Sequence, residues 1–202
     1  MILTTTEKMK EQVLDLREKG LSREEIAKEL HLSEETVGWL LARGSEEEKP
    51  PVDIYIGWRS LGVFSSRMTE MARIFTDMIL EECAKYDMAV DAVMGVAING
   101  IPLATLIAQE MDIELILYRP PRGEDDNGGS SGSILSNYAG VRDKRVVIVD
   151  DVISSGSTMK KAIEFLNANQ GKPSLCTAIV NKQQFNEIDG VPVRAMIRTH
   201  AV

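Results

Sequence analysis

Apolar positions change their spacing partway along the chain. Up to residue 44 they recur every three or four residues, the helical period. Met9, Val13 and Leu16 share one face of a helix predicted over residues 6–19, which Gly20 ends. Ser22 with Glu25 forms a capping box for a second helix, residues 23–30. His31 and Leu32 make a tight turn, and Ser33 caps a third helix through Leu41. Further on, apolar runs at 53–56, 92–96, 114–117, 145–149 and 174–180 alternate with helical segments at 66–86, 102–110 and 157–169. Strands interleaved with helices predict an α/β architecture, a parallel sheet covered on both faces.

Between the two patterns lies Ser45-Glu46-Glu47-Glu48-Lys49-Pro50-Pro51. A charge run followed by two prolines cannot continue a helix and reads as an extended linker. The predicted organisation is a small all-α domain over 1–44, a linker over 45–52 and an α/β domain over 53–202. Residues 123–132, rich in glycine, serine and acids, read as a mobile loop.

Composition narrows the function classes. The 202 residues are 44% hydrophobic and 27% charged, enough to bury a core. No run approaches 18 uncharged apolar residues, so no membrane partner is expected. The opening MILTTTEKMKEQ turns polar too soon for a secretory signal, which predicts a cytoplasmic protein. Cys83 and Cys176 lie far apart and lack metal-ligand spacing, so neither a disulfide framework nor a metal site is expected. The net charge of −8 argues against a protein held to nucleic acid mainly by charge. Residues 1–50 carry 8 Lys and Arg against 12 Asp and Glu, and residues 51–202 carry 15 against 19, so neither part is basic.

The segment 145–161, RVVIVDDVISSGSTMKK, carries the clearest chemistry. A buried strand ends in Asp150 and Asp151, and open α/β sheets bind ligands at that edge. Ser154, Ser155, Gly156, Ser157 and Thr158 then lead into a helix. Small residues at a helix start expose backbone N–H groups and hydroxyls to an anion, and the helix dipole adds a favourable field. The paired carboxylates can accept hydrogen bonds from sugar hydroxyls or help hold Mg²⁺.

Strand, two acids, spacer and hydroxyl-rich loop together resemble the signature of the type I phosphoribosyltransferase family for 5-phosphoribosyl-1-pyrophosphate (PRPP). The resemblance implies that Asp150 and Asp151 contact the ribose hydroxyls and that Ser154 to Thr158 wrap the 5-phosphate. The stretch VMGVAINGIPLA at 93–104 resembles the pyrophosphate loop of orotate phosphoribosyltransferases, which implicates Asn99 and Gly100. Leu117-Tyr118-Arg119 falls where that family begins its catalytic loop. There the family follows its arginine with a lysine and carries a further lysine and a histidine, cations that stabilise departing pyrophosphate. Here Pro120 and Pro121 follow, then Arg122 and the acids Glu124, Asp125 and Asp126. Arg119 and Arg122 can grip an anion without reproducing that cation set. The expectation is a PRPP pocket without efficient transferase chemistry, and no catalytic residue is assigned.

Residues 20–41 resemble the prokaryotic helix-turn-helix family, with His31 where a turn glycine is usual. Ser33, Glu34, Glu35, Thr36, Gly38, Trp39 and Arg43 are expected to face outward. Ser33 and Thr36 would touch bases or phosphate, Arg43 phosphate, and Glu can accept from cytosine. A dimerisation module with Trp39 in an interface is the other reading of these helices. Both parts together, including DIYIGWR at 53–59, SILSNYA at 133–139 and DGVPVRAMI at 189–197, resemble archaeal helix-turn-helix regulators of sugar catabolism with an orotate-phosphoribosyltransferase-like domain. The resemblance implies a homodimeric DNA-binding regulator whose effector is PRPP or a related phosphorylated sugar. It needs no cofactor beyond Mg²⁺ accompanying PRPP. The alternative is an active orotate-type phosphoribosyltransferase with the N-terminal helices serving assembly.

Overall fold

The computed structural model describes residues 5–42, 51–121, 132–183 and 185–199. Two compact units part between Gly57 and Trp58.

The first unit holds α1 (Thr5–Glu18), α2 (Arg23–Leu30) and α3 (Glu34–Leu41). The capping box forms in both directions: Ser22 Oγ accepts from the Glu25 N–H, and the Glu25 carboxylate accepts from the Ser22 N–H. His31 adopts the left-handed conformation, φ 53° and ψ 35°, and its N–H closes α2 onto Ala27 and Lys28 carbonyls. The turn therefore forms without glycine. Val13, Ile26, Ala27, Leu32, Val37 and Leu40 are the buried core of these helices.

Residues 53–56, expected as a strand, join no sheet. The Asp53 carboxylate instead accepts from the N–H groups of Ser33, at 2.6 Å, and Ile54, at 2.8 Å. An alternating apolar run becomes a strand only where a neighbouring strand satisfies its backbone. This run lies in the helical unit, where no strand exists among the described residues.

The second unit holds α4 (Arg59–Gly62), α5 (Ser65–Tyr86), α6 (Gly100–Met111) and α7 (Ser157–Ala168) around a sheet. Its strands are β1 (Ala92–Val96), β2 (Glu114–Arg119), β3 (Ser133–Ile134), β4 (Arg145–Ile153), β5 (Lys172–Asn181), β6 (Glu187–Ile188) and β7 (Val191–Arg198). The order is β3-β2-β1-β4-β5-β7-β6. The five central strands run parallel, while the two-residue edge strands β3 and β6 pair antiparallel.

Every residue of β1 is buried, as a central parallel strand covered on both faces requires. On one face Met94 and Ile148 pack with Met159, Ile163 and Leu166 of α7. On the other, α6 packs against β1 and β4, and the contact is close: a Cβ on Gly95 would lie 2.9 Å from that of Ala104. Each fully buried aliphatic side chain contributes about 1.5–3 kcal/mol relative to exposure. Helix α5 is tied to β7 by Glu82, 1% exposed, which accepts from Arg194 Nε at 2.6 Å and from its Nη2. Among the described residues no helix is long and apolar enough to cross a membrane.

Candidate functional site

Strand order decides where a ligand can lodge. From β1 the chain winds to β2 on one side, whereas β4 lies on the other side of β1. A crevice opens where the winding reverses, outside the carboxyl ends of β1 and β4. Parallel pairing brings three segments to that edge: the loop after β1, the end of β2 at Arg119, and the loop after β4.

The β4 segment is the most constrained. Asp151 is 4% exposed, and its carboxylate accepts from the Trp58 indole Nε1–H at 3.0 Å and from the Val152 N–H at 2.9 Å. The Asp151 N–H donates to Asp150 Oδ1 at 2.9 Å. Enclosure by the protein, with the neighbouring Asp151, pushes the Asp150 carboxyl well above its ordinary range. Gly156 follows in the left-handed conformation, φ 79°, beneath the Phe185 ring, to which an added Cβ would approach within 3.1 Å. Both the backbone angle and the ring select glycine here. Ser155 Oγ accepts from the Ser157 N–H at 3.3 Å and pairs with its hydroxyl at 3.0 Å. Ser155 and Ser157 are exposed, Ser154 and Thr158 half-buried.

The β1 segment meets this loop directly. A Cβ on Gly100 would lie 2.3 Å from the Val149 carbonyl oxygen and 3.0 Å from Asp150 Cα, so only glycine lets α6 begin against the end of β4. Asn99 and Gly156, the residues preceding α6 and α7, make no side-chain cap. Two helix N-termini without such caps thus flank the carboxylate pair. Each offers backbone N–H groups and the positive end of a dipole to an anion. Arg119 is the exposed last residue of β2, followed by two prolines that donate no N–H. Arg122 lies outside the described residues. No cluster of three or more His, Cys, Asp or Glu side chains forms among the described residues. A cation there would draw most of its ligands from its own anion or water.

In the helical unit the expected outward set divides. Ser33 is exposed, and its Oγ accepts from the Thr36 N–H at 3.1 Å as the cap of α3. Glu34 and Glu35 are exposed in the first turn. Thr36 does not face outward: it is 8% exposed and its hydroxyl pairs with Ser33 Oγ at 2.8 Å. Its place one turn before the core residue Leu40 rotates it inward. Gly38 lies under the Arg23 guanidinium, which an added Cβ would approach within 2.9 Å, and Arg23 Nε donates to the Glu34 carbonyl at 2.6 Å. Trp39 is half-buried against the helical core, its Nε1 without a partner among the described residues. Arg43 lies outside the described residues.

Two residues at the candidate pocket carry no local signal in the sequence. Trp58 reaches Asp151 across 93 positions, and Phe185 covers Gly156 from the segment after β5. Phe185 belongs to no periodic pattern or motif, and Trp58, though it lies in the DIYIGWR stretch at 53–59, is given no role there.

The phosphoribosyl transferase domain family matches residues 67–192. The transcriptional regulator GfcR of Thermoplasma acidophilum is 45% identical over 200 residues, spanning 99% of this chain and 98% of that protein. The transcriptional regulator GfcR of Archaeoglobus fulgidus is 43% identical over 197 residues, 97% of this chain and 98% of that one. Among solved structures, orotate phosphoribosyltransferase from Aeropyrum pernix superposes with a TM-score of 0.56 at 26% identity, covering 73% of this chain and 80% of that one. Adenine phosphoribosyl transferase from Trypanosoma brucei, in complex with AMP, pyrophosphate and ribose-5-phosphate, shares the fold with a TM-score of 0.54 at 16% identity, covering 74% and 71%. The α/β unit therefore has the type I phosphoribosyltransferase fold, and the chain as a whole belongs to the family of archaeal transcriptional regulators named GfcR.

Proposed function

We propose that the protein is a cytoplasmic, homodimeric regulator that binds operator DNA through its N-terminal helix-turn-helix and senses PRPP or a related phosphorylated sugar in its phosphoribosyltransferase-like domain. The genes it controls would serve sugar catabolism. The observation that carries the reading is the pair of helix N-termini, α6 and α7, flanking Asp150 and Asp151 at the β1–β4 crevice. Amides and hydroxyls of Ser154, Ser155, Gly156, Ser157 and Thr158 would take the 5-phosphate, and Asn99 and Gly100 the pyrophosphate. The aspartates would take the ribose hydroxyls. Mg²⁺ would travel with PRPP rather than reside in the protein. Ligand occupancy would alter the spacing of two recognition helices in the dimer, biasing one DNA-binding geometry over another.

Purified protein incubated with sheared genomic DNA, with and without PRPP and Mg²⁺, tests this directly. Sequencing of the retained DNA is expected to show a few discrete, pseudo-palindromic sites whose recovery depends on PRPP. No enrichment in either condition would overturn the regulatory reading. By calorimetry, the double variant Asp150→Asn, Asp151→Asn is expected to lose PRPP affinity, and unchanged affinity would remove the pocket assignment. A transferase reading is favoured by the crevice itself and by Arg119 at its rim. It predicts steady release of pyrophosphate with one particular base, whereas the sensor reading predicts none.

A further inference from the structure

The hydrogen bond between Trp58 and Asp151 stands at an unusual place in the chain. Trp58 opens the α/β unit, and the residues just before it belong to the helical unit. The connecting stretch 53–58 is held at both ends by a carboxylate. At its start, Asp53 accepts from the N–H of Ser33, the cap of α3, at 2.6 Å. At its end, Trp58 donates to Asp151 at 3.0 Å. The first bond fixes the residue that begins the third helix of the helical unit. The second engages one of the two carboxylates at the β1–β4 crevice.

The indole is seated for this bond. A Cβ on Gly62 would lie 2.5 Å from Trp58 Cζ3, so the six-membered ring occupies space that any larger residue would fill. Asp151, 4% exposed, has little water to fall back on, and the indole N–H is a rigid single donor. A sugar hydroxyl arriving at Asp151 must share or displace that donor. Because the ring is fixed over Gly62, a change at its N–H is not absorbed by side-chain rotation alone. It would be passed to the backbone of residue 58 and the stretch behind it.

We infer that Trp58 is the positioning residue through which occupancy of the Asp150–Asp151 site is passed to the connecting stretch, and through Asp53 to the cap of α3. The inference rests on the effector reading above. It assigns Trp58 no contact with ligand or DNA: the residue acts through Asp151 on one side and through the chain on the other.

The chain contains two tryptophans, Trp39 and Trp58, so it can be labelled with 5-fluorotryptophan and followed by fluorine NMR. Trp58→Phe keeps a ring over Gly62, removes the donor and assigns the resonances, with Trp39→Phe as the second assignment variant. Saturating PRPP and Mg²⁺ are expected to shift the Trp58 resonance of the native chain. In parallel, PRPP is expected to change native DNA affinity by about tenfold, and that of Trp58→Phe by less than about twofold. PRPP binding by Trp58→Phe, read by calorimetry, is expected to persist with an affinity changed by up to about tenfold, the size of one removed hydrogen-bond donor. A stationary Trp58 resonance, or a Trp58→Phe protein that keeps the full DNA response, would overturn the relay. A Trp58→Phe protein that no longer bound PRPP would make the indole part of the ligand site and overturn it equally. If the native chain took up no PRPP, the effector reading would fail first. If it bound PRPP while Trp58 stayed silent, only the relay would fail.

Discussion

Asp150 illustrates how a candidate binding residue burdens the fold that carries it. Its carboxyl is held above the ordinary range by enclosure and by the adjacent Asp151, so ionising it costs more in the folded protein than in the unfolded chain. The sign follows from linkage. Stability from this group is complete below the unfolded carboxylate value near about 4, and is lost as pH rises towards the raised folded value. Asp150→Asn, which cannot ionise, is therefore expected to melt higher than the native chain at neutral pH. The two melting temperatures should converge as pH falls through about 4, where both side chains are neutral in either state. Thermal unfolding across a pH series reads this directly, and a constant difference at all pH values would contradict it. The burden is consistent with a group kept for binding rather than for stability.

Among the elements, α5 is tied to β7 by a buried ion pair. Glu82 is 1% exposed and faces Arg194, with Lys85 Nζ at the margin of ion-pair distance, 4.0 Å. Arg194→Leu leaves that carboxylate enclosed without its main partner and is expected to cost roughly 3–5 kcal/mol in denaturant unfolding. Glu82→Leu combined with Arg194→Leu should recover most of the loss, because a paired apolar replacement strands no charge. Elements of this kind also mark what a sequence can and cannot disclose. Helices α2 and α3 were legible to the residue because their caps are local: Ser22 with Glu25, and Ser33. Strands β1 and β4 were legible as short apolar runs, but β4 continues past the expected end at Val149, through Asp150 and Asp151, to Ile153. Strand β7 was not, since Pro192, Arg194 and Arg198 interrupt its apolar character and its surroundings, rather than its composition, place it beside β5. The opposite error occurred at 53–56, where an apolar run lacks a neighbour to pair with. At the candidate pocket, the loop 154–158 and the aspartates stand in the sequence as a contiguous motif. The Trp58 bond and the Phe185 cover join residues far apart in sequence, and nothing local encodes them. Thr36 was misjudged because its side of α3 depends on where α1 and α2 pack.

At the scale of the whole molecule, charge decides how DNA binding should behave. The chain carries −8, and α3 contains no lysine or arginine. Few phosphates can then be neutralised, and each contributes a slope of about −0.9 to the dependence of log affinity on log salt. A dimer is expected to show a shallow slope, about −2 to −4. A value steeper than about −8 would require a basic surface that these helices do not supply. Affinity would then come mainly from shape, base contacts and the joining of two half-sites.

The two-residue strands at the sheet margins bear on a different property. Five parallel strands would otherwise end in rows of open N–H and C=O groups, the template on which ordered aggregates grow. β3 and β6 are each turned antiparallel and brief, and each covers two residues of the parallel strand beside it, Tyr118–Arg119 of β2 and Val191–Pro192 of β7. Another chain adding itself to β3 or β6 would therefore find only two residues of ladder to extend at those points.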